Sequence, residues 1–386
     1  MFKIATRINL LPSYLFVEID RAKREAKKQG RDIIDFGVGD PDQPTPFHII
    51  DALKKAVDDP GNHRYALDQG IPRLRQAIAD WYLERFKVKL DSENEILPLI
   101  GSKEGIAHFP LAFLDVSDYA LVPDPCYPPY RSGTILAGGK VYSMALLSQN
   151  DFLPIFEDIP PAIVKKSRIM FINYPNNPTT AIAEKDFYKR VVEFAMKNKI
   201  IVVSDAAYSE ITYDGYRAPS FLEIPGAKEV GIEFHSLSKT YNMTGWRIGW
   251  ACGNKKLISA LSKVKSNIDS GIFLAIQWAA ITALKGPQKC VEQMRQLYQE
   301  RRDLLVEGLL SLGWEVKPPL ATFYLWLKIP IKQDSIKFAK FLLNKADIVV
   351  TPGVGFGKCG EGFVRFSLTV SKERIKEAIT RIKGIL

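Results

Sequence analysis

Five polar runs in this sequence carry groups able to do chemistry. They are Gly101-Ser102-Lys103-Glu104-Gly105, Tyr174-Pro175-Asn176-Asn177-Pro178-Thr179, Asp205-Ala206-Ala207-Tyr208, His235-Ser236-Leu237-Ser238-Lys239-Thr240 and Gly245-Trp246-Arg247-Ile248-Gly249. The first four each follow an apolar stretch that reads as a β-strand, at 96–100, 169–173, 200–204 and 232–234. In an open α/β sheet, ligands bind beyond the carboxyl ends of the strands, so these runs are expected to converge. The first opens a helix, and backbone N–H groups at a helix start favour a phosphate. Asn177 and Asp205 stand 28 positions apart, and Asp205 and Lys239 stand 34 apart. A βαβ unit takes roughly 30 residues, so Asn177 and Asp205 belong to neighbouring units. The longer second step takes in a loop around Gly215 and Pro225.

The elements that must hold these runs are legible in outline. A helix is expected from Tyr14 to a Lys-Lys-Gln-Gly stop ending at Gly30, then a short strand at 32–37 and a proline-marked extended loop. The segment 71–86 is an amphipathic helix, with Pro72 in its first turn and Leu74, Ile78, Trp81 and Tyr82 recurring at helical spacing. From about Glu95, apolar strands at 96–100, 119–122, 169–173, 200–204, 232–236 and 248–252 alternate with helical stretches such as 184–197. That pattern predicts an α/β fold with a mostly parallel central sheet. Long helices follow from Lys255 to about Gly313. A smaller α+β part closes the chain, with strands at 323–327, 348–350 and 363–368 and a last helix at 372–383. The expected division is 1–45 as an N-terminal arm and part of the smaller domain, 46–285 as the large domain, and 286–386 as the small C-terminal domain.

Composition narrows the function classes. The chain has 386 residues, of which 46% are hydrophobic and 25% charged, which suits an ordinary soluble globular protein. The formal net charge is +10, but the Lys and Arg residues are spread through helices and not gathered into a tail, so neither nucleic acid nor membrane is expected as a partner. Four cysteines (Cys126, Cys252, Cys290, Cys359) form no Cys-x-x-Cys pair and fit a reducing cytoplasm better than a disulfide framework. The four histidines stand at no zinc-ligand spacing, so no metal is expected. No signal peptide is read at the start. The apolar stretch 270–284 is shorter than the roughly 20 residues that span a bilayer and reads as a buried helix. Gly355-Phe356-Gly357-Lys358-Cys359-Gly360 matches a dinucleotide fingerprint, which should follow a strand and open a helix. Here it leads into a strand and is read as a mobile loop before Arg365.

The run Ser-x-Ser-Lys-x-x-x-x-x-Gly-x-Arg-x-Gly over Ser236–Gly249 resembles the lysine motif of class I/II aminotransferases, which have the fold-type I architecture and depend on pyridoxal 5'-phosphate (PLP). Pro-x-Asn-Pro-Thr around Asn177 and Asp-x-x-Tyr at Asp205 are similar to cofactor motifs of the same family, and the resemblance runs from Gly37 to Arg365. It implies that Lys239 is the amine that bonds the cofactor aldehyde and then shuttles the substrate Cα proton. That shuttle requires a depressed amine pKa. Arg247 would clamp the phosphate bidentately, with Ser102 and Lys103 through backbone amides and Ser236 and Ser238 through hydroxyls. Asp205 would hold the pyridine nitrogen protonated, Asn177 and Tyr208 would meet the ring hydroxyl, and Tyr127 would stack on the ring. Arg365 would receive the substrate α-carboxylate, joined by the backbone amide of Gly39. Where the family often has Gly after Pro-Thr, this chain has Thr180, which is expected to alter the turn.

Several stretches look like LL-diaminopimelate aminotransferases: 10–16, 171–179, 231–249 and 263–273. The implied reaction moves an amino group between LL-2,6-diaminopimelate and 2-oxoglutarate, giving tetrahydrodipicolinate and glutamate. Tyr65-Ala66-Leu67-Asp68-Gln69-Gly70 resembles a Tyr-x-x-Glu-x-Gly segment of that group, with Asp in place of Glu. By that likeness Tyr65 reaches the phosphate of a partner subunit and Asp68 reads the distal ammonium, in at least a homodimer, while Tyr14 lines the pocket. Asn267 and Ser270 are candidate donors to the distal carboxylate. Aspartate, alanine or aromatic transamination, or a PLP-dependent C–S lyase, remain open on the same scaffold. A regulator would need a DNA-binding helix-turn-helix, and none is read.

Overall fold

The computed structural model describes residues 2–11 and 15–385. Its main sheet has seven strands. They are β2 (Ile96–Leu99), β3 (Tyr119–Asp124), β4 (Lys140–Ala145), β5 (Ser167–Asn173), β6 (Ile201–Asp205), β7 (Gly231–Ser236) and β8 (Gly249–Gly253), in spatial order β2-β8-β7-β6-β5-β3-β4. The pairs β4/β3, β3/β5, β5/β6 and β6/β7 are parallel, while β8 runs antiparallel to both β7 and β2. The sheet is therefore mostly parallel, as expected, with one reversed strand. The link from Ser236 to Gly249 carries two single helical turns, Leu237–Thr240 and Thr244–Trp246, and no crossover helix of the kind that usually returns a parallel strand. Strand order reverses between β3 and β5, the kind of position where α/β sheets bind ligands.

Both faces of this sheet are covered. The helix Pro72–Phe86 starts on Pro72, stops at a left-handed Lys87 (φ 60°), and buries Leu74, Ile78, Tyr82 and Phe86. Each such side chain withdrawn from water contributes about 1.5–3 kcal/mol. The expected buried helix is Leu274–Lys285, and its alanine-rich face packs near the helix Phe47–Val57. That second helix lies beyond the proline run, with Pro46 as its N-cap. The long helical stretch resolves into Lys255–Ser266, Leu274–Lys285 and Lys289–Ser311.

A second apolar core surrounds a three-stranded antiparallel sheet of β9 (Tyr324–Lys328), β11 (Thr351–Pro352) and β12 (Phe363–Ser367), in order β11-β12-β9. The early strand β1 (Ile34–Asp35) pairs in parallel with β10 (Ile348–Val349), so the start of the chain is built into its end. The helices Lys289–Ser311, Ser335–Ala346 and Lys372–Lys383 pack here. No helix among the described residues is long and apolar enough to cross a membrane.

Candidate active site

A cavity of about 290 Å³ opens beyond the carboxyl ends of the central strands. Gly39, Ser102, Lys103, Tyr127, Asn177, Asp205, Tyr208, Ser236, Ser238, Lys239, Arg247 and Arg365 all line it, so residues scattered over more than 320 positions meet at one place.

Lys239 sits in a single turn of helix, Leu237–Thr240, whose start is capped by the Ser236 hydroxyl accepting from Ser238 N–H at 3.1 Å. Its Nζ donates to the carbonyl of Gly39 at 2.8 Å. Burial pulls its pKa down to about 8, and the positive charges of Arg365 and Arg247 add to that against the pull of Asp40. An amine of this kind is partly neutral near physiological pH and can act as nucleophile or base. The structure gives Gly39 a steric reason as well, because a Cβ there would run into the hydroxyl of Tyr324.

Asp205 ends β6 and is buried, and burial pushes its pKa up to about 6 even though Tyr130 Oη donates to Oδ2 at 2.7 Å and Ala207 N–H to Oδ1 at 3.2 Å. A carboxyl held this high gains from a cationic partner beside it. Arg365, on β12, is 4% exposed. Its Nη1 donates to Asn177 Oδ1 at 2.6 Å and its Nη2 to the Gly37 carbonyl at 3.1 Å, while its buried Nε has no partner. Aromatic rings of Tyr324 and Phe356 lie 4.1 and 4.7 Å from its guanidinium carbon. No carboxylate pairs with this buried cation among the described ion pairs. Arg247 takes a left-handed backbone (φ 57°), and its Nη1 donates to the Thr244 carbonyl at 2.7 Å. A Cβ on Gly101, itself at φ 75°, would strike that guanidinium, so the glycine that opens the first polar run leaves the arginine its place.

The Asn177 loop is self-bonded: Asn173 Oδ1 accepts from Asn177 N–H and Asn176 Oδ1 from Thr179 N–H, both at 2.9 Å. Thr180 occupies the left-handed region at φ 62°, so the turn a glycine would favour is kept by a β-branched residue. Tyr208 Oη pairs with Tyr324 Oη at 2.9 Å, and Tyr127 meets Tyr130 edge to face with centroids 5.8 Å apart.

The other expected residues lie elsewhere. Tyr65 is 93% exposed and Asp68 half-buried in a surface turn, neither in this chain's cavity. Asn267 is exposed at the end of its helix, where its Nδ2 caps the Lys263 carbonyl at 2.7 Å, and Ser270 is likewise outside the cavity. Tyr14 lies outside the described residues. In the other direction, Asn173, Thr244, Tyr324 and Phe356 line the cavity unannounced, and Tyr130 stands behind Asp205. Asn173 carried a readable signal, a polar residue at the end of an apolar strand. The aromatic residues read as core.

With this geometry in view, the comparisons are direct. Residues 31–382 match the family model described as aminotransferase class I and II. The chain is 55% identical over 382 residues to the LL-diaminopimelate aminotransferase of Moorella thermoacetica, covering 99% of this chain and 98% of that protein. It is 52% identical to the enzyme of that name from Aquifex aeolicus, covering 100% of both. Among solved structures, substrate-bound BacF from Bacillus subtilis superposes with a TM-score of 0.95 at 38% identity, covering 100% of this chain and 98% of that one. A Thermus thermophilus aspartate aminotransferase single mutant superposes with a TM-score of 0.93 at 31% identity, covering 100% of both. The chain belongs to the class I and II aminotransferases.

Proposed function

We propose that this enzyme catalyses PLP-dependent transamination between LL-2,6-diaminopimelate and 2-oxoglutarate, giving tetrahydrodipicolinate and glutamate. Relatives of that name at 52–55% identity across whole chains support the substrate. The observation that carries the chemistry is the meeting in one cavity of a part-buried Lys239 with a buried Asp205 and Arg365, none of them in an ion pair among the described residues.

The residues fit PLP. Bound, that group supplies an aldehyde carbon and an electron-withdrawing ring. Arg247, with Ser102, Lys103, Ser236 and Ser238, forms the cationic and hydroxyl-rich end suited to its phosphate. The high-lying carboxyl of Asp205 suits a protonated ring nitrogen. Asn177 and Tyr208 would meet the ring hydroxyl, and Tyr127 would stack on the ring face.

Lys239 Nζ would hold the cofactor through its aldehyde carbon and, when free, would take the proton from the substrate Cα. Arg365 would take the α-carboxylate, with the amide of Gly39 beside it, by exchanging the Nη1 contact to Asn177 for a carboxylate oxygen. The exposed Tyr65 and Leu67 support a homodimer in which Tyr65 and Asp68 serve the neighbouring site, with Tyr14 lining the pocket. The domain boundaries 1–45, 46–285 and 286–386 and a cytoplasmic location belong to the same reading.

The test is turnover of LL-diaminopimelate with 2-oxoglutarate by the PLP-loaded enzyme, run beside aspartate, alanine and phenylalanine as donors. Diaminopimelate is expected to lead clearly. Brisk turnover of another donor without it would remove the substrate, and Asp68→Ala leaving diaminopimelate turnover intact would remove the role of Asp68.

A further inference from the structure

We infer that the glycine motif 355–360 and Asp124 together form a latch that positions Arg365 for its carboxylate. The inference rests on the reading of Arg365 as the carboxylate grip.

Asp124 is the last residue of β3 and is 3% exposed. Its Oδ1 accepts the backbone N–H of Cys359 at 2.9 Å, and its Oδ2 accepts from Arg131 Nη2 at 3.3 Å. Two residues on, the N–H of Cys126 donates to the carbonyl of Phe356 at 2.8 Å. The tip of the seven-stranded sheet thus holds the 356–359 turn at two points. The glycines have matching reasons. Gly357 adopts φ 141°, and a Cβ on it would collide with the Asp124 carboxylate, while one on Gly360 would collide with the Gly353 carbonyl. The motif is shaped to lie against a carboxylate and not a pyrophosphate.

What the latch fixes is the cavity wall. Phe356 is itself one of the two anchor points, and its ring sits 4.7 Å from the Arg365 guanidinium carbon. The segment begins two residues after β11, which pairs with β12 at Thr351 and Arg365. Three residues beyond Asp124, Tyr127 enters the same cavity from the large sheet. A substrate held at Cα near Lys239 and at its carboxylate by Arg365 depends on the distance between the two sheets, and small misplacements of binding groups are costly. Asp124 touches none of the reacting atoms and is a positioning residue.

Asp124→Ala, Asp124→Asn and Gly357→Ala are measured in the PLP-loaded enzyme for KM and kcat with amino donor and 2-oxo acid, cofactor absorbance and melting temperature. Asp124→Ala is expected to raise KM for both substrates about tenfold, with kcat within about twofold and cofactor absorbance unmoved, because a binding interaction is lost and not the chemistry. Asp124→Asn keeps an oxygen acceptor for the Cys359 N–H and should recover most of the loss. Gly357→Ala should reproduce the KM effect from the other side and decides the matter if Asp124→Ala does not fold. Unchanged KM in both Asp124→Ala and Gly357→Ala, or a fall in kcat and cofactor binding as large as the rise in KM, would overturn the latch. Arg365→Lys serves as the reference: if it leaves KM unchanged the carboxylate reading itself fails, whereas a raised KM there with none in the latch variants removes only the latch.

Discussion

The cavity around Lys239 and the interior around Glu233 both bury charge, on the same strand and three residues past its end, yet they treat it in opposite ways. Glu233 is wholly buried and accepts from Tyr82 Oη (3.0 Å), Ser204 Oγ (3.0 Å), Ser220 Oγ (2.6 Å), Phe221 N–H (2.9 Å) and His235 Nε2 (3.2 Å). Burial alone would raise its pKa, but His235 and the surrounding donors outweigh that and hold it below the usual carboxylate value. His235 in turn stacks on Trp250 with centroids 5.3 Å apart. Lys239 has one carbonyl, Arg365 keeps a bare Nε, and Asp205 is pushed upward. A buried charge that is fully met holds the fold together. One that is only partly met costs stability and is free to bind something else.

Substitutions can break or sharpen this contrast. The largest effect is expected from Lys239→Ala, which should lower transamination by about 10³-fold or more while leaving the melting temperature of the cofactor-free protein the same or higher. A clear loss of stability would put Lys239 with Glu233. Glu233→Ala should do the reverse, costing about 3–5 kcal/mol in denaturant unfolding by leaving its donors unpaired, with kcat of the folded fraction little changed. Because the folded pKa of Glu233 lies below the unfolded one, its contribution is full above the unfolded carboxylate range and is lost as pH falls toward the folded value. The acid limb of a stability profile should therefore flatten in Glu233→Ala.

Lys239 has the opposite consequence. Its folded pKa of about 8 lies below the ordinary 10.5, so the unfolded chain holds more protons between these values and cofactor-free stability should rise with pH there. Reaction of the cofactor-free protein with a simple aldehyde, followed by absorbance, should gain rate up to about pH 8 and then level off. A midpoint near 10.5 would show the amine to be ordinary. The smallest effect is at the rim, where Thr180→Gly should stabilise the protein by about 0.5 kcal/mol. Relief of a left-handed β-branched residue exceeds the added chain entropy only slightly. No gain in a denaturant titration would mean that the turn carries no strain.

How much could be read without the fold follows the same divide. Lys239, Asp205 and Asn177 were legible because each follows an apolar strand at a spacing set by local geometry, Arg247 was legible only through the likeness of Ser236–Gly249 to the lysine motif, and Pro72 with its periodic apolar positions announced its helix. The edge strand Lys140–Ala145 was not, because only Met144 along it is buried, so its alternation is faint. The reversal of β8 was not, because periodicity carries no direction.

The sequence by itself determined which groups are on hand for chemistry, since residue type and local spacing are properties of the chain. Tertiary structure alone decided their state. The lowered amine of Lys239, the bare Nε of Arg365, the aromatic pair of Tyr324 and Phe356 beside it, and the clasp of Asp124 on Cys359 all depend on burial and on contacts between distant segments. Desolvation and pairing exist only once those segments are brought together.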